Sequence, residues 1–131
     1  MSIGGILLSM VAYMIIGTFW YSGAFLGKVW QKLVKLDFDK MDREKMTAAF
    51  VSSAAAAFVM ASVLNYLMVE FEVSTTVQAL SLGGMLWLGF SGTSIFVNNM
   101  YQQKPLLLTL VDGGYQLAGI LTMSSILYYL I

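Results

Sequence analysis

Four long apolar runs, at about 3–27, 47–69, 77–101 and 106–131, limit what this chain can fold into more than any other feature. Each exceeds the roughly 20 residues that carry a helix across a ~30 Å hydrocarbon core, so modestly tilted spans are expected. A soluble fold of 131 residues could not hide that much apolar surface: 59% of the chain is hydrophobic and only 11% charged, about half the charge of an ordinary soluble domain. The expectation is an all-α integral membrane protein, a four-helix transmembrane bundle forming one domain over 1–131. Between the runs lie a charged stretch (28–46), an acidic turn in FEVSTT and a tight turn at QQKP, whose Pro105 can open the last helix without breaking one. The opening MSIGGILLSM has no Lys or Arg before its apolar stretch and no small-x-small cleavage site before its charged flank. It reads as a retained anchor rather than a signal peptide.

Charge placement sets the orientation. Lys28, Lys32, Lys35, Lys40, Arg43 and Lys45 lie in the first loop and Lys104 in the third, and with four spans these loops share a side. The positive-inside rule puts that side in the cytoplasm, with both termini and the Glu70/Glu72 turn outside. In KVWQKLVKL the three lysines share one helical face opposite Trp30, Leu33 and Val34, which predicts a short interfacial helix after the first span. Its basic face suits anionic lipid; the plainer reading is an anchor that fixes the depth of the first span. DFDKMDRE lacks the glycine and terminal glutamate spacing of a calcium loop.

Chemistry is scarce. With no Cys or His there is no thiolate, no imidazole base and no usual metal ligand. No HExxH and no glycine-rich phosphate loop appear, and only one intramembrane carboxylate is present where an aspartyl mechanism needs two. The expectation is a non-enzyme without cofactor or metal. Formal net charge is zero, and no nucleic-acid partner is expected.

Small residues recur every four positions in the second span, at Ala49, Ser53, Ala57, Ala61 and then Asn65, forming a ridge against which a neighbouring backbone can pack. Gly23 and Gly27 make a GxxxG at the end of the first run, and glycines thin the third and fourth. Several smooth faces on one chain suggest a homo-oligomer.

The stretch TLVDGGYQ places Asp112 inside the last run, eight residues beyond Lys104 and so about 12 Å below that interface. An ionised carboxylate facing lipid at mid-span costs about 2.5–3.5 kcal/mol, so Asp112 should face inward, with donors around it or with its proton retained. Tyr115 and Gln116 share its helical face. Similar depth counts bring in Trp20, Tyr21 and Ser22 from the first run, Ser52 and Ser53 from the second, and Thr93, Ser94, Asn98 and Asn99 from the third. All four spans are thus expected to supply one polar layer. It is either a hydrogen-bond knot that fixes packing, or a pocket that binds or moves a small solute or ion.

WYSGAFLGKVW (20–30), WLGF (87–90) and KPLLLTLVDGGYQL (104–117) resemble the bacterial membrane-protein family catalogued as domain of unknown function 1761. The resemblance implies four spans over nearly the whole chain. Trp20, Tyr21, Ser22, Gly27, Lys28, Trp30, Gly114 and Tyr115 match the family pattern. Gly23 stands where the family has proline, Leu26 where it has phenylalanine, Asp112 at an Asn position and Gln116 at a His position. An Asn/Asp exchange at 112 disfavours a shared proton relay and suits a hydrogen-bonding role. The resemblance implies no activity.

Overall fold

The computed structural model describes residues 2–130, and every regular element among them is helical. Helix α1 spans Ile3–Trp20, α2 Gly27–Val34 and α3 Arg43–Glu70, with a single 3-10 turn at Phe38–Lys40 before α3. The third long element comprises α4 (Thr76–Leu86), a π-helical turn (Trp87–Gly92) and α5 (Thr93–Tyr101); α6 (Leu106–Leu130) completes the chain. Four of these stretches, Ile3–Trp20, Arg43–Glu70, Thr76–Tyr101 and Leu106–Leu130, are long and apolar enough to cross a membrane. Their outward faces carry exposed Phe19, Phe50, Val77, Phe90 and Leu110, as suits helices of spanning length and composition.

Local chemistry explains most boundaries. The Ser2 hydroxyl accepts from the Gly5 amide at 2.9 Å and starts α1, while the Ser2 amide donates to Asn65 Oδ1 at 3.0 Å and ties that start to α3. Asp42 caps α3 by accepting from the Glu44 amide at 3.1 Å, so α3 begins at Arg43, earlier than the apolar run at 47. Thr75 caps α4 through the Gln78 amide at 3.1 Å. The two tight turns between long helices each use one residue of positive φ, Glu72 (51°) and Gln103 (57°).

The first run does not continue as helix to 27. After Trp20 the chain folds back on itself through the bonds Leu26 N–H to Trp20 O (3.0 Å) and Gly27 N–H to Ser22 O (2.9 Å). A Cβ on Gly27 would collide with the Tyr21 carbonyl and the Ser22 backbone, so this glycine serves the turn. Gly23 and Gly27 therefore form no helix-packing GxxxG. The turn launches α2, the interfacial helix expected from its basic and apolar faces: Lys28 and Lys32 are exposed, while Trp30, Leu33 and Val34 are half-buried.

α6 is the hub and touches every other long helix; α3 packs chiefly on α1. Ile6, Ala57, Ala61, Leu64, Met68, Ala79, Met123 and Leu127 close the core at the acidic end, where Glu70 and Glu72 lie. Ala57, Ala61 and Asn65 of the small-residue ridge are buried there as expected, but Ala49 and Ser53 are exposed. Every residue from 42 to 53 is exposed, because the first half of α3 leans away from the other helices. Towards the basic end only α3 leaves the bundle, while α1 and α5 stay in contact with α6.

Candidate functional site

The contact between α1 and α6 near the basic end is built from two interlocked Tyr-x-x-x-Gly pairs on antiparallel helices. Tyr13 of α1 lies on Gly119 of α6, where a Cβ would stand 2.6 Å from its ring. Tyr115 of α6 lies on Gly17 of α1, where a Cβ would stand 2.6 Å from its hydroxyl. The two rings meet at 4.9 Å between centroids. The Tyr115 hydroxyl donates to the Tyr13 carbonyl at 3.2 Å, and the Tyr13 hydroxyl donates to Gln116 Oε1 at 3.0 Å. In a helix the carbonyl of residue i faces residues i+3 and i+4. Gly17, four beyond Tyr13, thus leaves that carbonyl open to a side chain from the next helix.

The same device recurs one turn towards the basic end. Trp20 Nε1 donates to the Val111 carbonyl at 3.0 Å, and Gly114, three beyond Val111, makes room: a Cβ there would lie 3.0 Å from the indole. Trp87 Nε1 donates to the Gly113 carbonyl at 2.9 Å from the opposite side of α6. The π turn explains that reach. In it residue i+5 stacks over residue i, so Gly92 sits over Trp87 and its missing side chain leaves the indole space, a Cβ there being 3.1 Å from the ring.

Asp112 points inward and has a donor: the Tyr21 hydroxyl reaches its Oδ1 at 2.6 Å. Tyr21 is held edge-on by Trp30 of α2 (5.4 Å) and by Tyr115 (5.4 Å), and Trp30 in turn stacks on Phe38 at 5.3 Å. Helix α2 therefore folds an aromatic cover over the carboxylate.

The three stretches behind the family resemblance, about ninety residues apart in sequence at their extremes, converge here: Trp20, Tyr21, Gly27 and Trp30, then Trp87, then Asp112, Gly114 and Tyr115. The family model described as a protein of unknown function (DUF1761) matches residues 5–128. The chain belongs to the DUF1761 family. No curated protein and no solved structure matches it.

In this DUF1761 member the polar layer has a narrower membership than the depth counts suggested. Trp20, Tyr21, Asp112, Tyr115 and Gln116 come into direct contact; Ser53 faces Tyr21 and Tyr115 only across a cavity, and the other expected members lie apart. The Ser22 hydroxyl donates to the Phe19 carbonyl at 2.7 Å and Ser53 to the Ala49 carbonyl at 2.8 Å, each within its own chain segment. Ser94 donates to the Phe90 carbonyl and, like Asn98, is exposed. Asn99 Nδ2 donates to Thr109 Oγ1 at 3.0 Å, nearer the loops. The cause is the π turn, whose extra residue rotates all that follows by roughly 100° and turns Ser94 and Asn98 outward. Depth counting assumes regular helices, so it missed both this rotation and the contributions of Trp87 and Tyr13. A tryptophan behind glycine-bearing helix segments was the available signal for Trp87; for Tyr13 it was the shared spacing of Tyr13–Gly17 and Tyr115–Gly119.

Beside the site, in the cleft between α1 and the leaning half of α3, lies a cavity of about 240 Å3 lined by Gly17, Thr18, Tyr21, Phe50, Ser53 and Tyr115, with Met14 at its edge. All four hydroxyls on its wall direct their hydrogens elsewhere: Thr18 to the Met14 carbonyl at 2.9 Å, Ser53 to Ala49, Tyr21 to Asp112 and Tyr115 to Tyr13. Lone pairs are what remain to face the cavity. Among the described residues no group of three or more His, Cys, Asp or Glu is placed to hold a metal ion.

Proposed function

We propose that this chain is a non-enzymatic membrane protein whose α1–α3 cavity binds, and through its open cleft moves, a small cation or hydrogen-bond-donating solute such as an ammonium or a primary amine. The observation carrying this reading is the direction of the four wall hydroxyls, which present acceptors to the cavity. The Asp112 carboxylate behind Tyr21 adds to it, since a negative group behind a ring of lone pairs favours a positive guest. Purified protein titrated with methylammonium chloride should melt several degrees higher, as expected of a ligand that binds only the folded form. Tetramethylammonium chloride, a cation with no N–H to donate to the wall acceptors, should have little effect. Asp112→Asn and Asp112→Leu/Tyr21→Phe should fold normally and lose the methylammonium shift. Equal shifts with both salts, or an undiminished shift in both variants, would overturn the reading.

A second reading has its own support: each bond of the site already has a protein partner, as in a knot that only fixes packing. Variants at Asp112 separate the two.

For orientation, the clustering of all seven basic residues at one end supports a bacterial inner-membrane protein with that end cytoplasmic and both termini outside. Phe71 is exposed at the acidic turn. In spheroplasts a Phe71→Cys variant of this cysteine-free chain should react with a membrane-impermeant maleimide added outside. Labelling only after permeabilisation would reverse the orientation.

A further inference from the structure

On the lipid-facing side of Met14, Thr18 and Phe50 the same cleft widens into an apolar groove of about 680 Å3, walled by Met10, Ile15 and Phe19 of α1 and by Phe50 and Ala54 of α3. Its α1 wall from Met10 to Phe19 runs roughly 14 Å, close to the ~15 Å depth of a single leaflet. The groove opens sideways because residues 42–53 lean away, and Ser22 marks its basic end.

Each wall of that end presents a cation, Lys28 on one side and Arg43, between Asp42 and Glu44, on the other. On the α1 side Lys28 folds back over the turn, its Cε lying 4.0 Å from where a Cβ on Gly23 would be, next to Ser22. Lys32 follows one turn on along the same exposed face of α2. On the α3 side Arg43 lies two turns before Phe50 and so on the same face. The neighbouring Asp42 carboxylate is engaged with its own helix amide at Glu44.

We propose that this groove is a site for one anionic glycerophospholipid, with an acyl chain between α1 and α3 and its phosphate between Lys28 and Arg43. The basic face of α2 then recognises headgroups as well as anchoring the span. A bilayer lipid reaches the groove by sideways diffusion, and its two chemical halves match the two ends of the cleft. The groove shares Met14, Thr18 and Phe50 with the inner cavity, so the acyl chain would border that cavity, while the phosphate site does not depend on the cavity's guest.

The test reconstitutes the protein in vesicles of equal phosphatidylglycerol and phosphatidylcholine, extracts it in mild detergent and counts retained lipids by native mass spectrometry. One phosphatidylglycerol per chain is expected, enriched over phosphatidylcholine on the order of twentyfold, about fivefold for each of two cations near the phosphate. Lys28→Gln/Arg43→Gln should return retention to the vesicle ratio. Lys40→Gln/Lys45→Gln, with the same loss of charge at the same end, should keep the enrichment. Ala54→Phe, which fills the groove, should remove both lipids. The proposal fails if the unaltered protein retains lipids at the vesicle ratio, if the Lys40/Lys45 variant loses as much enrichment as the Lys28/Arg43 variant, or if inorganic phosphate displaces the phosphatidylglycerol.

Discussion

Gly119→Ala is expected to destabilise the bundle by about 2–4 kcal/mol. The added methyl would stand 2.6 and 2.7 Å from two ring carbons of Tyr13. Tyr13 is 6% exposed, and its hydroxyl is tied to Gln116, so the ring has no free side to move into. Overpacking of this kind costs typically 1–3 kcal/mol, and a displaced ring also gives up a hydrogen bond of about 1 kcal/mol. The cause can be isolated with a double-mutant cycle. In a Tyr13→Ala background the alanine at 119 meets no ring, and most of its cost should vanish. Unfolding in mixed detergent micelles, followed by far-UV circular dichroism, measures all four corners. Strictly additive costs would show that Gly119 acts through helix propensity and not through the Tyr13 contact.

This interlock shows where sequence reasoning reached and where it stopped. The four spans, the turns at Glu72 and Gln103 and the interfacial helix were all legible, because each follows from apolar length, turn residues or a charged face that a linear reading can count. The inward direction of Asp112 was legible from the cost of the alternative. The partners were less so. Trp20, Tyr115 and Gln116 fall together as expected because α1 and α6 are regular helices up to that point, and Tyr21 follows α1 by a single residue. Ser94 and Asn98 were misplaced because a π turn leaves no compositional trace beyond its glycines, yet it rotates everything after it. Ser53 lies across a cavity from Tyr21 and Tyr115 but is exposed, not packed. The small-residue ridge of α3 continues past the point where the helix leaves the bundle, and a pattern of alanines and serines does not say where contact ends. Gly27 was read as a packing glycine, whereas its spacing from Gly23 comes from a turn that bends the chain back onto Tyr21. Helical motifs carry meaning only where the helix exists.

Asp112→Leu is the most informative single change, with an expected cost of about 2–3 kcal/mol. Its carboxylate is the acceptor for the Tyr21 hydroxyl, which is half-buried among Trp30 and Tyr115. Leucine leaves that hydroxyl without a partner in apolar surroundings, and an orphaned polar group costs about 1–3 kcal/mol. Because Tyr21 also seats α2 through Trp30, fraying of the cover should add to the loss. Asp112→Asn keeps an acceptor oxygen at the same place and should stay within about 1 kcal/mol of the parent. Asp112→Leu/Tyr21→Phe removes both ends of the bond and should recover most of the stability, since replacing both partners by apolar groups is nearly neutral. These values decide between the two readings of the site when set beside methylammonium binding. If Asp112→Asn and the double variant are stable but no longer respond to methylammonium, the carboxylate serves a guest. If both remain stable and the parent never responds, the site is a packing knot. Should Asp112→Leu prove as stable as the parent, the Tyr21 bond holds nothing in place, and neither reading survives in its present form.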